Sequence, residues 1–247
     1  MLQVHQFPCL SDNYGFLVHE PQTGATACVD TPDAAAILAA AEAKGWRITD
    51  IWNTHWHPDH AGGNAEIIAK TGAKVTGPSE VTKVAPAPDA IVGEGDTAML
   101  GNAEARVLDV GGHTLGHIAY VFDDDRIAFV GDTLFAMGCG RMFEGKPEQF
   151  WTSLSKLAAL PEDFTIYCAH EYTQANARFA LHVDPDNAEL KARVDRINAM
   201  RAENKPTVPM QLAEELKTNP FLRAPLLVKA ATDAEAFAAM RAAKDKF

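Results

Sequence analysis

The segment Thr54–His60 reads Thr-His-Trp-His-Pro-Asp-His and places three histidines and one aspartate within six consecutive positions. It follows the residues 51–53, which are typical of the end of a buried strand. In an extended segment, residues two apart point the same way, so His55 and His57 can bind one metal ion together. The segment therefore requires a fold in which these metal-binding side chains lie at the end of a strand.

Pro58 changes the direction of the chain before Asp59 and His60, and a predicted helix over 64–70 follows. We therefore expect Asp59 and His60 to point toward a second ion near the first. Imidazole suits zinc and iron, and the hard carboxylate suits the same ions. A single histidine beside a tryptophan is usually a packed or surface residue, but three histidines and an aspartate at this spacing rarely occur without metal.

Three further polar clusters follow apolar strands. Their donors are His113 and His117 after residues 105–110, Asp132 after residues 126–130, and His170 after residues 164–168. Each alone is more often a hydrogen-bonded loop residue, and physical reasoning does not rank His113 above His117. Together, four polar clusters at the ends of four strands indicate one site at one edge of a sheet system. A two-ion site of this kind needs about seven protein ligands, one of them shared.

The chain shows two regimes of secondary structure. Up to about Tyr172, short strands alternate with turns and a few helices, and beyond Thr173 the strand patterns stop. A long helix is predicted over 186–204, with a stripe of apolar residues at helical spacing, and further helices are predicted over 210–217 and 232–246. The sequence thus predicts an α/β domain over residues 1–172 and an α-helical domain over 173–247.

Composition excludes several classes of protein. The 247 residues are 47% apolar, as in an ordinary globular protein with a sizeable core. The net charge of −11 argues against a nucleic-acid partner. No apolar run is long enough to cross a bilayer, and the first residues lack the pattern of an export signal, so membrane association and export are not expected. The four cysteines are scattered and are interpreted as reduced thiols of a cytoplasmic protein.

The motifs along nearly the whole chain resemble those of the glyoxalase II (hydroxyacylglutathione hydrolase) family of the metallo-β-lactamase superfamily. The segment Thr54–His60 on its own is shared by many hydrolases of that superfamily, whereas the later motifs are narrower. The motifs are Ser11–Tyr14, Thr54–His60, His113–His117, Gly131–Phe135, Gly138–Arg141, Glu144–Gly145, Ala169–Thr173, Asn219–Arg223 and Lys244–Phe247.

The resemblance implies a four-layer αββα sandwich with a C-terminal α-helical domain that caps the substrate side. It implies that two divalent metal ions are bound, with zinc favoured and with iron and manganese left open. The implied ligands are His55, His57 and His113 for the first ion, Asp59, His60 and His170 for the second, and Asp132 as the bridge. His117 is then a residue beside the ligands, and Asp30 is either an orienting partner of a ligand imidazole or a simple loop carboxylate.

The implied activity is hydrolysis of the thioester S-(R)-lactoylglutathione to D-lactate and glutathione, the second step of methylglyoxal detoxification. A hydroxide bridging the two ions would attack the thioester carbonyl, with Asp59 and Asp132 taking a direct part in catalysis. The family's glutathione-binding positions are occupied by Arg141, Phe143, Tyr172, Arg241 and Lys244. The only partner implied is this small molecule, and a monomer is expected.

Two departures from the form associated with animal members bear on the substrate. Arg141 replaces a lysine, which keeps the charge, and Phe143 replaces a tyrosine, which loses a hydroxyl hydrogen bond. For Arg241 and Lys244, an alternative interpretation is that basic residues in a last helical turn offset the helix dipole.

Two other functions are weighed against hydrolysis. A glutathione persulfide dioxygenase with a single iron shares the metal motif, but that family usually lacks the long helical tail. A metal-dependent nuclease would need a basic face and an inserted nucleic-acid-binding domain, and neither is visible in the sequence. Histidine rather than glutamate at position 57 also favours hydrolysis over redox chemistry.

Overall fold

The computed structural model describes residues 1–247, and the chain forms two compact units. The first unit comprises residues 1–109 and 116–131, and the second comprises residues 110–115 and 132–247. No helix is both long and apolar enough to cross a membrane.

The first unit begins with a six-stranded mixed sheet whose spatial order follows the order of the chain. The first three strands are antiparallel, and the next three are parallel to the third. The strands are β1 (Gln3–Cys9), β2 (Asn13–Glu20), β3 (Ala25–Val29), β4 (Asp50–Trp52), β5 (Lys74–Gly77) and β6 (Ala90–Ile91). Parallel neighbours need crossover connections. Helices α1 (Ala34–Lys44) and α3 (Asn64–Thr71) supply two of these, and the short helix α2 (Pro58–Ala61) precedes α3.

The same unit contains four antiparallel strands that follow one another as a meander. They are β7 (Thr97–Leu100), β8 (Ala103–Asp109), β9 (Ile118–Phe122) and β10 (Ile127–Gly131). Their aromatic residues pack on the first sheet: the ring of Trp52 lies 4.9 Å from that of Tyr120, and Phe16 lies 5.6 Å from Phe129. On the other face of the first sheet, Ile37 of α1 and Ile67 of α3 join the buried apolar cluster. The unit is therefore layered as helix, sheet and sheet.

The second unit is mostly helical. Its strands form two short antiparallel pairs, β11 (Leu134–Phe135) with β12 (Gly138–Cys139), and β13 (Thr165–Cys168) with β14 (Met210–Gln211). Its helices are α4 (Pro147–Ala158), α5 (Thr173–Val183), α6 (Ala188–Ala202), α7 (Leu212–Thr218), α8 (Ala224–Leu227) and α9 (Asp233–Lys246). The side chains of Asn187 and Thr232 cap α6 and α9 by accepting hydrogen bonds from amides of the first turn.

The apolar stripe predicted on the long helix is confirmed. Leu190, Val194 and Ile197 of α6 are buried in one cluster with residues of α5 and with Met137. The expectation that strands end at Thr173 is wrong, because Met210, placed in a helix by the sequence, forms β14 and pairs with Ile166. A two-residue strand is too short to show an alternating pattern, so only its pairing partner reveals it.

Candidate metal centre

The metal-binding segment of the first unit lies in the loop and short helix that follow β4. Asp30 sits at the end of β3 with a left-handed backbone (φ 58°), and this conformation is uncommon for a residue other than glycine. Its Oδ1 accepts a hydrogen bond from the Thr54 amide at 2.8 Å, and its Oδ2 accepts one from the Thr54 hydroxyl at 2.8 Å. The end of one strand thereby fixes the start of the donor segment.

His60 is oriented by the same carboxylate. Its Nδ1 lies 2.8 Å from Asp30 Oδ2, so that Nδ1 carries the proton and Nε2 is left available to bind a metal ion. Nε2 in turn lies 3.5 Å from Oδ2 of Asp59. Asp30 is thus an orienting partner of a histidine, the first of the two interpretations that the sequence left open.

His55 and His57 face each other, as the sequence predicts, but from a loop rather than from a strand. The strand whose end the sequence predicts at residues 51–53 ends at Trp52. Nε2 of His55 lies 3.0 Å from Nδ1 of His57. Two nitrogens that bind one tetrahedral zinc at about 2.0–2.1 Å lie about 3.4 Å apart, so the observed pair is close to the separation that a shared ion requires.

Asn13 is a contributor that sequence reasoning missed. It is buried at the start of β2, and its Nδ2 donates to Oδ2 of Asp59 at 3.1 Å. The only signal in the sequence was its place in the motif Ser11–Tyr14, to which no role was attached. Its contact fixes Asp59, which, like His57, is only half-buried.

In the second unit, Asp132 lies between two histidines. Its Oδ2 is 3.4 Å from Nε2 of His113, and its Oδ1 is 3.4 Å from Nε2 of His170. Nδ1 of His113 lies 2.8 Å from the carbonyl oxygen of Arg141, which directs Nε2 toward the aspartate. Each carboxylate oxygen therefore faces a different imidazole at the spacing expected of two ligands on one ion. This is the geometry of a carboxylate able to bridge two ions.

Glycines allow the backbone to pass close to these donors. A Cβ on Gly140 would lie 2.0 Å from the carbonyl oxygen of Asp132 and 3.0 Å from Nδ1 of His113. Gly131 has a left-handed backbone, and a Cβ there would lie 2.7 Å from the ring of His117. His117 stacks on His55 with ring centroids 4.5 Å apart, so it packs beside a proposed ligand.

The residues expected to bind substrate differ in exposure. Phe143 is 61% exposed and Tyr172 is 38% exposed, and the Tyr172 ring stacks on His170 with centroids 4.7 Å apart. Arg141 is also exposed. These three side chains can be reached by a ligand.

The two basic residues of α9 form hydrogen bonds within the protein. Arg241 is 5% exposed and donates to the Cys139 carbonyl at 3.2 Å and to Asp245 at 2.7 Å. Lys244 donates from Nζ to the Ala175 carbonyl at 3.1 Å. Burial and the neighbouring guanidinium groups of Arg241, Arg178 and Arg141 lower the pKa of Lys244. The second unit therefore concentrates positive charge around this end of α9.

Cys139 lies among these residues but is unsuited to act as a nucleophile. Burial raises the pKa of its thiol to about 11, although Arg241 beside it opposes the shift. The thiol is then protonated at neutral pH, which suits a packing role.

Comparisons with known proteins place the chain within a family. The family model described as hydroxyacylglutathione hydrolase C-terminus matches residues 171–247, and that of the metallo-beta-lactamase superfamily matches residues 26–170. A protein of Erythrobacter litoralis named hydroxyacylglutathione hydrolase is 60% identical over the whole of both chains. One of the same name from Hyphomonas neptunium is 53% identical over all of this chain and 99% of its own.

Solved structures show the same fold at lower identity. ETHE1 from Myxococcus xanthus superposes with a TM-score of 0.70 at 23% identity, covering 98% of this chain and 90% of its own. The BLEG-1 B3 metallo-beta-lactamase superposes with a TM-score of 0.68 at 17% identity, covering 89% of this chain and 99% of its own. The expected α/β class and metallo-β-lactamase fold with a C-terminal helical region are confirmed. The histidine and carboxylate clusters in this fold indicate a divalent metal site.

Proposed function

The chain belongs to the hydroxyacylglutathione hydrolase family of the metallo-β-lactamase superfamily, and on this basis we propose that it hydrolyses the thioester of S-(R)-lactoylglutathione and related S-2-hydroxyacylglutathiones. The products are D-lactate and glutathione, and the reaction is the second step of methylglyoxal detoxification. Membership rests on identity over the full length, including the helical tail that the family model matches.

We propose that seven donors of the chain hold two divalent ions. His55, His57 and His113 bind the first, Asp59, His60 and His170 bind the second, and Asp132 bridges them. The single observation that carries this assignment is the position of Asp132, with each oxygen 3.4 Å from a different imidazole nitrogen. These side chains fit a pair of divalent ions, because imidazole and carboxylate groups bind zinc well and also accept iron or manganese.

Two divalent ions bound there would polarise the thioester carbonyl and lower the pKa of a shared water. The residues of the chain orient the reactants. Asp59, held by Asn13, is placed to accept a proton from the attacking water. Asp132, which lies between His113 and His170, would serve as the shared ligand. A thiolate is a good leaving group, so no residue of the chain needs to protonate it before it departs.

The substrate's glutathione part carries two carboxylates, which cationic groups should receive. We propose that Arg141 and Lys244 bind these carboxylates and that Phe143 and Tyr172 flank the peptide. The buried guanidinium of Arg241 anchors α9 through Cys139 and adds positive charge beside Lys244, although its repulsion also lowers the pKa of that ammonium group. In this proposal residues 1–172 form the metal-binding domain and residues 173–247 the substrate-binding domain.

We also propose that the protein acts as a monomer in the cytoplasm. All seven proposed ligands come from one chain, so a second copy is not needed to complete the centre. The four cysteines are free and buried, which suits a reducing compartment.

The test is hydrolysis of S-(R)-lactoylglutathione by the purified, metal-loaded protein. Free thiol and D-lactate should appear in equal amounts, and Asp132→Ala should abolish turnover while remaining folded. An oxygen electrode with glutathione persulfide serves as the control for the dioxygenase alternative and should record no uptake. Absence of thiol release from protein with two ions per chain would overturn the proposal.

A further inference from the structure

The hairpin of β11 and β12 is an unusual turn because it is buried from end to end. Every residue from Leu134 to Cys139 is buried. Its turn residue Met137 has a left-handed backbone (φ 51°), although it is not glycine. A turn normally lies at the surface, where water satisfies its amide and carbonyl groups. Here those groups must find partners within the protein.

Three side chains of the C-terminal helices supply these partners. Asn176 of α5 donates to the Ala136 carbonyl at 3.1 Å. Glu215 of α7 accepts from the Met137 amide at 2.9 Å. Asn219, just after α7, donates to the carbonyls of Phe135 at 3.1 Å and Gly138 at 2.9 Å. We refer to Asn176, Glu215 and Asn219 as the hairpin cradle.

The hairpin cradle is itself held in a single arrangement. Glu215 and Asn219 are fully buried and bond to each other at 3.0 Å. The other oxygen of Glu215 pairs with the buried guanidinium of Arg193, which also donates to the hydroxyl of Thr218 at 2.6 Å. Removal of one member of such a buried charge network is strongly destabilising, because its partner is left buried without a compensating charge or hydrogen bond.

Both ends of the hairpin lead directly to proposed metal ligands. Asp132 lies two residues before β11, and the Gly140 amide, one residue after β12, donates to the Thr133 carbonyl at 3.3 Å. At the other end, the carbonyl of Arg141 orients His113 through Nδ1. A shift of the hairpin would therefore move the bridging carboxylate and the group that directs one imidazole.

We propose that the hairpin cradle is a set of positioning residues that fixes Asp132 and His113 for metal binding. The C-terminal helices then have a second task beyond carrying the residues expected to bind substrate. This inference rests on the proposed two-metal centre. Its distinguishing claim is that Glu215 and Asn219 control metal affinity without being ligands.

The experiment compares isosteric variants of the full-length protein. In Glu215→Gln, the amide offers one acceptor oxygen, so either Arg193 or the Met137 amide loses its partner. In Asn219→Asp, two donors to hairpin carbonyls become acceptors. The matched control is Glu214→Gln. Glu214 is the neighbouring carboxylate and also pairs with Arg193, but its second ion pair is with Arg196 and not with the hairpin.

Metal affinity is measured by competition with a chromophoric chelator at a temperature where circular dichroism shows each variant folded. We expect both cradle variants to bind metal about 10-fold or more weakly, in line with other residues that support metal ligands. The visible spectrum of the cobalt(II)-loaded protein should also shift, since it reports ligand geometry. Glu214→Gln should keep the affinity within about twofold and the spectrum unchanged.

A purely structural role would lower the melting temperature but leave the folded protein with wild-type metal affinity and cobalt spectrum, and that result would overturn the inference. If the buried variants do not fold, Asn176→Ala removes one hydrogen bond only and serves in their place, judged by the same criteria. Loss of metal in the variants together with a wild-type protein that fails to cleave the thioester would reject the proposed function and leave the cradle inference standing.

Discussion

At the scale of single residues, the proposed metal centre depends on groups that orient its proposed ligands as well as on those ligands. Asp30 illustrates this, because it accepts hydrogen bonds from Thr54 and His60 from a left-handed backbone position. An imidazole whose Nδ1–H is held by a carboxylate presents Nε2 in one direction and becomes a stronger ligand. Metal affinity should therefore respond to a residue that does not touch the metal.

Asp30→Asn tests this role. The amide keeps the size of the side chain but loses the charge that holds the Nδ1 proton of His60, so we expect metal affinity to fall about 10- to 100-fold. Metal content after dialysis against a chelator measures the effect. Asp33→Asn is the control, because Asp33 caps α1 and asparagine caps equally well. Equal metal retention in the two variants would show that Asp30 has no orienting role.

Gly131→Ala tests the close approach of backbone to the donors. A Cβ there would lie 2.6 Å from Oγ1 of Thr54 and would also need a left-handed backbone. Gly24 has the same kind of backbone but open space around it, so Gly24→Ala isolates the conformational cost. We expect Gly131→Ala to lower the free energy of unfolding by about 1–3 kcal/mol more than Gly24→Ala. Urea denaturation of both variants measures the difference, and equal losses would contradict the steric argument.

At the scale of secondary-structure elements, the turn between β2 and β3 depends on one carboxylate. Glu20 accepts hydrogen bonds from the Thr23 hydroxyl at 2.6 Å and from the amides of Gln22 and Thr23. These bonds, first that of the hydroxyl, lower the pKa of Glu20 from 4.5 to about 2. Because the pKa in the folded state is lower, the ionised group stabilises the fold above pH 4.5, and this contribution is lost as the pH falls toward 2.

Glu20→Gln should remove that pH dependence. The variant should be less stable than the wild type at pH 6, and the difference in stability should narrow as the pH is lowered from about 4.5 to 3. Urea midpoints of the metal-free proteins at several pH values provide the measurement. A difference that stays constant between pH 6 and pH 3 would mean that the ionised carboxylate contributes nothing specific.

Helix α9, which carries Lys244, begins with a capping box in which Thr232 and Glu235 exchange hydrogen bonds. Thr232→Ala should destabilise the first turn by about 1 kcal/mol, which corresponds to about fivefold faster amide exchange there. Hydrogen exchange read by mass spectrometry measures this. Thr152→Ala, an exposed threonine whose hydroxyl bonds back within α4, is the control and should show no such acceleration. Unchanged exchange at residues 233–236 would contradict the capping role.

At the scale of the whole molecule, sequence patterns predicted the features that depend on local periodicity. Strand β10 over Ile127–Gly131 and the buried stripe of α6 are both predicted, because each shows its burial in its own residues. Strands β11, β12 and β14 are not predicted, since strands of two residues have no pattern of their own. The roles of Asn13, Glu215 and Asn219 were also missed, because each depends on partners about 46 to 84 residues away along the chain.

Metal binding should contribute to the stability of the whole molecule. Ligands that bind only the folded state stabilise it by mass action, by about 2.7 kcal/mol at a free concentration 100 times the dissociation constant. Chelation should therefore lower the melting temperature and abolish thioester cleavage, and zinc should restore both. A chelated protein that melts at the same temperature as the loaded protein would contradict the proposed centre.

The burial of all four cysteines has a consequence for an enzyme whose proposed product is itself a thiol. Mixed disulfides form only when an accessible thiolate attacks, and these sulfurs are enclosed while burial raises their pKa values, to about 12 for Cys9 and about 11 for Cys139. Oxidised glutathione therefore has no accessible thiol on the folded chain with which to form a mixed disulfide. Turnover can continue through an oxidative episode without the catalyst being capped by the molecule it liberates.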